Sequence, residues 1–266
     1  MRRLVLILML VGTTLTVSAA PAAPEPVLKI IFPEGFTARK MADRAAEVRQ
    51  IAIRKRGLTP RLTGASYAAA THTAKAPATF RPFLKRRSVE GFLFPSTYFF
   101  HPSSSAAALV GRQIETFQQR WKTVDVRAAR ARKQSPYDVL TIASIVERET
   151  QAPEERRLVA AVVYNRLERG MPLAIDATIR YGLGIEGTRP IKRSHLQSNS
   201  PYNTHRFKGL PPTPIANPGL ASIRAAAKPA AVDHLYYVRK PDGVHHFFTA
   251  DEQEFCAKAR EYGYSC

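Results

Sequence analysis

Hydrophobic positions near the start of the chain follow a strand pattern and then a helix pattern. Residues 27–32, VLKIIF, are mostly branched or aromatic and predict a strand, and the sequence PEG at 33–35 then turns the chain. From Thr37 onward, Met41, Ala45 and Val48 recur at helical spacing, with Lys and Arg on the other faces. We therefore predict a helix that Gly57 ends.

The pattern weakens and then resumes with aromatic residues. Residues 63–80 show no clear periodicity, which predicts a linker or surface loop and a soft domain boundary. Residues 88–100, SVEGFLFPSTYFF, predict a core strand interrupted at Pro95, with four phenylalanines inside: Phe92, Phe94, Phe99 and Phe100. A helix is predicted over 104–122.

The most informative helix pattern ends in two acids. Ser135 is a suitable N-cap, and Val139, Ile142 and Val146 repeat at steps of three and four residues. On a wheel of about 100° per residue, Glu147 and Glu149 border this apolar face on opposite flanks. Burial raises the pKa of such a carboxyl, so that it can protonate a leaving oxygen near neutral pH. Either acid fits this role, and pairing with nearby Arg156 or Arg157 is the structural alternative.

The last third of the chain mixes turns with short elements. A helix is predicted over 153–169, and Asp176 follows it either as an N-cap of the next helix or as a site residue. The prolines of 209–219 predict a rigid loop that either shapes a groove or is purely structural. Residues 236–248 predict a hairpin around a Pro-Asp-Gly turn, and Thr249 with Glu252 predicts a capping box for the final helix.

Charge and the N-terminus narrow the range of partners. The 266 residues carry a formal net charge of +19, from 40 Lys plus Arg against 21 Asp plus Glu, which favours polyanionic partners. Arg2 and Arg3 precede an apolar run of the form found in export signals, somewhat shorter than the roughly 20 residues of a spanning helix. Both a retained anchor and a cleaved signal fit, and both place the chain outside the cytoplasm. Anionic membrane or cell wall is therefore expected, and nucleic acid is not.

Cysteine and histidine usage points away from redox and metal chemistry. Cys256 and Cys266 are the only cysteines, and in an exported protein they can form a structural disulfide. The seven histidines form no metal pattern, because His245 and His246 are adjacent on a predicted strand and point to opposite faces. We predict no metal and no cofactor.

Seven separated stretches resemble one family. The sequences EGFLFPSTY (90–98), ASIVERET (143–150), VVYNRLERGMPL (162–173), DATIRYGLG (176–184), SPYNTH (200–205), GLPPTPIANPG (209–219) and HHFFT (245–249) occur in the order found in the YceG-like family of endolytic murein (lytic) transglycosylases. Together they span about residues 88–249, and the combination is highly specific.

The resemblance implies an architecture. It implies an α+β protein with an anchor and tether in 1–24, a small LysM-like strand-helix module and linker in 25–84, and a mixed α/β catalytic domain in 85–266. It also implies an inner-membrane anchor with the catalytic domain in the periplasm. The Ala-rich segment that follows the predicted strand and helix departs from the expected LysM pattern.

The resemblance also implies a reaction. Glu149 matches the family's catalytic glutamate, and the reaction is cleavage of the β-1,4 bond between N-acetylmuramic acid and N-acetylglucosamine to leave a 1,6-anhydro end. Expected partners are glycan strands, the inner membrane and peptidoglycan synthases. A hydrolytic muramidase, in which Glu147 or Asp176 directs water, and a non-catalytic wall-binding scaffold are the alternatives.

Polar residues within the matching stretches are the candidates for holding the strand. They offer hydrogen bonds to sugars, and loops on a rigid scaffold often carry function. The predicted substrate-binding residues are Glu90, Tyr98, Thr150, Asn165, Asp176, Thr178, Tyr202, Asn203 and Thr204. For Asn165 the structural alternative is that it only ties its helix to a neighbouring segment.

Overall fold

The computed structural model describes residues 25–185 and 189–266. The predicted anchor or signal in 1–24 lies outside the described residues. In the described part of the chain, no helix has both the length and the apolar character needed to cross a membrane.

Helices dominate the architecture, with two small antiparallel sheets among the described residues. The elements are β1 (Leu28–Ile31), α1 (Ala38–Arg56), α2 (Gly64–Thr73), β2 (Thr97–Phe100), α3 (Ala106–Trp121), α4 (Arg127–Ala131), α5 (Pro136–Glu149), α6 (Arg156–Glu168), α7 (Asp176–Leu183), α8 (Arg193–Leu196), α9 (Leu220–Ala227), β3 (Tyr236–Arg239), β4 (His246–Thr249) and α10 (Glu252–Glu261), with 3₁₀ turns at Ala78–Phe83 and Pro153–Glu155. The α+β prediction is confirmed.

The first hydrophobic core joins the predicted N-terminal module to residues that follow it in the chain. β1 pairs with β2 in antiparallel register, Leu28 opposite Phe100 and Ile31 opposite Thr97, and α1, α2 and α3 pack on the inner face. The strand before residue 85 therefore completes a sheet with a strand after it. The domain boundary at 85 stays a prediction.

The second core surrounds α5. Its apolar side chains from Val139 to Val146 are fully buried against α6, α7 and α9, as the periodicity predicted. Ser135 caps the helix, and its hydroxyl accepts a hydrogen bond from the Asp138 N–H while the Asp138 carboxylate accepts one from the Ser135 N–H. A helix fixed at its start and buried along its length holds its last residue, Glu149, in a defined place.

Two of the local predictions were wrong in the first half of the chain. Residues 63–80 are not a loop: Thr63 and Ser66 form a capping box that starts α2, and Gly64 lets α2 approach α1, since a Cβ there would lie 2.8 Å from the Ala42 carbonyl oxygen. Residues 88–100 contain only a four-residue strand, and Phe99 is 56% exposed on its outer face.

Two caps proposed for the second half of the chain, one of them only as an alternative role for Asp176, were also wrong. Ile175, not Asp176, is the N-cap of α7, and Asp176 is the first helical residue. The final helix is capped by Asp251, whose side chain accepts a hydrogen bond from the Glu254 N–H. The predicted hairpin β3–β4 is confirmed, and Cys256 and Cys266 form the disulfide that tethers the end of the chain to α10.

Candidate active site

Glu149 lies where α5 ends against the β3–β4 hairpin. Its side chain is half-buried, and the hydroxyl of Tyr237 on β3 donates a hydrogen bond to its Oε2 at 3.1 Å. No ion pair of Glu149 with Arg156 or Arg157 occurs within the described residues. The single hydroxyl partner distinguishes Glu149 from a carboxylate held in a structural salt bridge.

The surroundings of Glu149 favour its protonated form. Burial raises the pKa of Glu149, and the nearby carboxylate of Asp176 raises it further. The Tyr237 hydrogen bond, Arg239 and His246 act in the opposite direction and lower it. Burial is the largest of these effects, so the carboxyl holds its proton to a higher pH than a solvent-exposed glutamate does.

Glu147 points to a different part of the molecule. Its Oε2 accepts a hydrogen bond from the Gly219 N–H at 3.0 Å, at the start of α9. The carboxylate of Glu34 also lies against Gly219, where burial and the charge of Glu147 raise the pKa of Glu34. The helical wheel placed the two acids on opposite flanks of α5, and the structure gives them separate partners.

A buried hydrogen-bonded pair supports the hairpin beneath Tyr237. His246 on β4 bonds through Nδ1 to Oε2 of Glu155 at 2.7 Å, and its backbone N–H donates to Oε1 of Glu155 at 2.8 Å. The His246 ring meets the Tyr237 ring edge-on, with centroids 5.3 Å apart. This pair ties the hairpin to the turn that follows α5, and so fixes Tyr237 relative to Glu149.

Arg166 fastens the other side of the same strand. Its guanidinium donates to the carbonyl oxygens of Leu235 at 2.6 Å and Leu173 at 2.8 Å, and it lies 5.2 Å from the centre of the Tyr236 ring. The residue thereby joins α6 to β3 and to the segment that precedes α7. Burial lowers the pKa of this guanidinium, and the carbonyl oxygens accept hydrogen bonds from its Nε and Nη1.

Asp176 is the first residue of α7, and its charge acts on Glu149. Its Oδ1 is 2.9 Å from Nε2 of His205, while the charge of its carboxylate reaches Glu149. Thr150 directly follows Glu149, and its buried Oγ1 has no hydrogen-bond partner within the described residues. Of the predicted binding residues, Thr150 is the chain neighbour of the catalytic candidate and Asp176 acts on it through its charge.

Three other predicted binding residues hold backbone in place. Thr178 and Thr204 share a hydrogen bond of 2.8 Å between their hydroxyls, and Thr204 also accepts one from the Ile175 N–H. Asn203 donates to the carbonyl oxygens of Leu196 and Ser198. All three are buried, so they position the start of α7 and the loop beside it.

The remaining predicted binding residues lie in structural contacts. Asn165 donates to the carbonyl oxygens of Val232 and His234, which is the structural alternative foreseen for it. Tyr98 is buried in the first core and donates to the Phe94 carbonyl oxygen. Tyr202 is half-buried, and its hydroxyl lies 2.8 Å from that of Thr213.

Glu90 is the centre of a buried polar cluster. Its carboxylate accepts hydrogen bonds from the Ala38 N–H, the Asn217 side-chain amide and the Tyr181 hydroxyl. The other end of the Asn217 side chain accepts from the N–H groups of Gly91 and Leu93. This cluster joins α1, α7 and two loops, and burial raises the pKa of Glu90 to about 7.

Sequence reasoning missed the groups that support Glu149. The sequence patterns assign Tyr237 and His246 to a hairpin, Glu155 and Arg166 to a helix, and Asn217 to a proline-rich loop. Arg166, His246 and Asn217 fall within the matching stretches, whereas Tyr237 and Glu155 do not. Contacts across the fold leave no mark on local periodicity. Within the described residues, no group of three or more His, Cys, Asp or Glu side chains is arranged to hold a metal.

Comparison with known families decides the relationship of this chain. The model of the YceG-like family matches residues 12–261. The chain belongs to the YceG-like family. Among solved structures, a yceG-like protein from Listeria monocytogenes is similar over 88% of this chain and 75% of its own, with a TM-score of 0.73 and 27% identity. The YceG-like fold thus accounts for both cores described above.

Two curated relatives carry a functional name. An endolytic murein transglycosylase of Bacillus subtilis is 36% identical over 162 residues, covering 59% of this chain and 44% of its own length. An endolytic murein transglycosylase of Streptococcus pneumoniae is 29% identical over 228 residues, covering 80% of this chain and 41% of its own length. This YceG-like chain therefore spans less than half the length of these relatives.

Proposed function

We propose that this protein is an endolytic peptidoglycan lytic transglycosylase. The observation that carries the proposal is Glu149, a half-buried carboxyl with raised pKa, held by one tyrosine hydroxyl at the end of a buried helix. Membership of the YceG-like family and the names of the two relatives support the same assignment. The reaction is cleavage of the β-1,4 bond between N-acetylmuramic acid and N-acetylglucosamine, which makes the protein a lyase.

Glu149 acts first as an acid. Its proton goes to the glycosidic oxygen, the bond from that oxygen to the anomeric carbon of the muramic acid breaks, and the N-acetylglucosamine end leaves with a new hydroxyl. Because the Tyr237 hydroxyl donates to Oε2, we expect Oε1 to carry the proton that is transferred. A pKa raised by burial keeps that proton available near neutral pH.

Glu149 then acts as a base. The C6 hydroxyl of the same muramic acid attacks the anomeric carbon, and the carboxylate takes its proton, which forms the 1,6-anhydro ring and restores the acid. No water is consumed, so no second carboxylate is needed to activate it. An ordinary glycosidase, by contrast, uses a pair of carboxylates.

The cellular setting is part of the same proposal. We place the catalytic domain in the periplasm, with residues 1–24 as a single-pass inner-membrane anchor or, alternatively, a cleaved signal. Cleavage there would end the elongation of nascent glycan strands beside peptidoglycan synthases. The β1–α1 segment would be the LysM-like module, and the net charge of +19 would favour docking on anionic wall and lipid.

A hydrolytic muramidase is the second candidate. The observation that favours it is the charge of Asp176 acting on Glu149, because a second carboxylate near the acid can direct water. Mass spectrometry of products from purified glycan strands separates the two reactions. Internal fragments with anhydro ends support the transglycosylase, whereas reducing ends would establish hydrolysis. A folded protein that binds strands without cutting them would be a scaffold.

A further inference from the structure

A large cavity lined by basic residues lies next to the end of α5, on a different face of the helix from Glu149. It has a volume of about 980 Å³, and its walls come from α1, α2, the segment 87–90, the end of α5 and α7. Arg148 lines this cavity, whereas Glu149 does not. Successive helical residues point about 100° apart, so α5 presents the acid to one space and the guanidinium to the next.

Cations from four separate segments surround the cavity. Its basic side chains are Arg39, Lys40, Arg87, Arg148 and Arg180. The two acids among the described lining residues are Asp43, exposed on α1, and Glu90. Five cations therefore line the cavity with two acids, and the Glu90 carboxylate accepts its hydrogen bonds from three neutral donors.

The arrangement suits an extended ligand with several negative groups. A single phosphate would be bound best by donors that converge on one point, whereas these cations are distributed around a long cavity. Between them the wall is formed by small apolar side chains, including Ala46, Ala65 and Ala68. Such a surface fits a peptide with short side chains and more than one carboxylate.

We propose that this basic cavity binds the carboxylate groups of the stem peptides that branch from the glycan strand. The inference rests on the proposed function, because the strand cut at Glu149 carries these peptides. α5 and α7 border both spaces: Arg148 directly precedes Glu149 on α5, and Arg180 lies one turn beyond Asp176 on α7. Binding in the cavity would select muramic acid residues that retain their stems.

Direct binding tests the cavity without turnover. Calorimetry at low salt would measure how tightly the full chain binds a synthetic stem tetrapeptide with free carboxylates. The same measurement would be made with the carboxylates of the peptide amidated. We expect the amidated peptide to bind at least tenfold more weakly. The double variant Lys40→Gln/Arg87→Gln should weaken binding of the free peptide about tenfold, because two charged contacts are lost.

A matched variant controls for net charge. Lys55 and Arg86 are exposed, lie on the same helix and the same loop as the tested residues, and do not line the cavity. Lys55→Gln/Arg86→Gln should leave peptide binding unchanged. Equal weakening by both double variants, or no binding of the peptide by the wild type, would overturn the proposal. The proposal would also be overturned if binding to anionic phospholipid vesicles depended on Lys40 and Arg87 while binding of the peptide did not.

Turnover gives a second, independent comparison. Strands with intact stems and strands stripped of them by an amidase would be cleaved by wild type and by Lys40→Gln/Arg87→Gln. The ratio of kcat/KM values, intact over stripped, should fall about tenfold in the variant, and an unchanged ratio would contradict stem recognition. If the wild type binds the peptide but does not cleave strands, the proposed function is wrong and the cavity proposal stands. If the wild type cleaves strands but does not bind the peptide, the cavity proposal is wrong and the proposed function stands.

Discussion

The hydroxyl of Tyr237 donates a hydrogen bond to Oε2 of Glu149 over 3.1 Å, joining β3 to the last residue of α5. This contact gives the candidate acid a fixed orientation without an opposing charge. An arginine in the same place would lower the pKa of Glu149 strongly and remove the proton that the reaction needs. A neutral donor orients the carboxyl while burial keeps its pKa raised.

Replacing Tyr237 by phenylalanine removes only that hydroxyl. The hydrogen bond lowers the pKa of Glu149, so its loss should raise this pKa and move the alkaline fall of kcat/KM to higher pH. We also expect the maximal rate to fall roughly ten- to a hundredfold, the effect of losing one hydrogen bond to a charged group. Tyr236→Phe, on the same strand, is the control and should keep the wild-type profile.

Replacing Asp176 by asparagine should move the profile in the opposite direction. The variant keeps an oxygen that can bond to His205 but removes the charge that raises the pKa of Glu149. The alkaline fall of kcat/KM should therefore shift to lower pH, with a loss of less than about tenfold in the maximal rate. A loss of about 10²–10⁴-fold would instead indicate that Asp176 is a general base, as in a muramidase.

Glu90 should make the stability of the fold depend on pH. Its pKa is about 7 in the folded state against 4.5 for an ordinary glutamate, so the folded protein binds more protons between these values. The contribution of Glu90 to stability is therefore fully present below pH 4.5 and falls by about 3 kcal/mol as pH rises through this window. Urea unfolding at several pH values should show this fall in stability for the wild type but not for Glu90→Gln. Glu47→Gln, at an exposed position on α1, should keep the wild-type pH dependence.

Binding to purified wall sacculi should depend on salt. The charge of +19 acts over a Debye length of about 10 Å at 0.1 M salt, which shrinks to about 3 Å at 1 M. We expect sedimentation with sacculi to weaken markedly between these concentrations. Binding that stays constant would show that electrostatic attraction does not drive the docking.

Periodicity was sufficient where one face of an element is uniformly apolar. α5, with Val139, Ile142 and Val146 buried, and the hairpin around its Pro-Asp-Gly turn were both predicted from the sequence. The pattern failed for α2, because its many alanines fit several faces and give the helix no distinct apolar stripe. It also failed for Phe99, which lies on the outer face of the β1–β2 sheet and is mostly exposed among the described residues.

The candidate site was predictable only in part. Helix geometry placed Glu147 and Glu149 on different flanks of α5, but it did not choose between them. Their distinct environments come from Gly219 and Tyr237, which lie 72 and 88 residues away in the chain. Contacts at such separations are set by the whole fold, so local sequence patterns do not reveal them.

The most direct test of the central claim compares two carboxylates on one helix. Mass spectrometry would follow internal fragments ending in anhydro-muramic acid, released from purified glycan strands by wild type, Glu149→Gln and Glu147→Gln. Circular dichroism would confirm that each variant is folded. Glutamine at 147 keeps an oxygen that can accept from the Gly219 N–H, so this variant is a matched control.

We predict that Glu149→Gln lowers the rate of fragment release by about 10²–10⁴-fold, because the amide has no proton to donate and cannot take one back. Glu147→Gln should release the same fragments at close to the wild-type rate. Wild-type release by Glu149→Gln, or loss of release with Glu147→Gln alone, would contradict the assignment of Glu149 as the acid and base of the reaction.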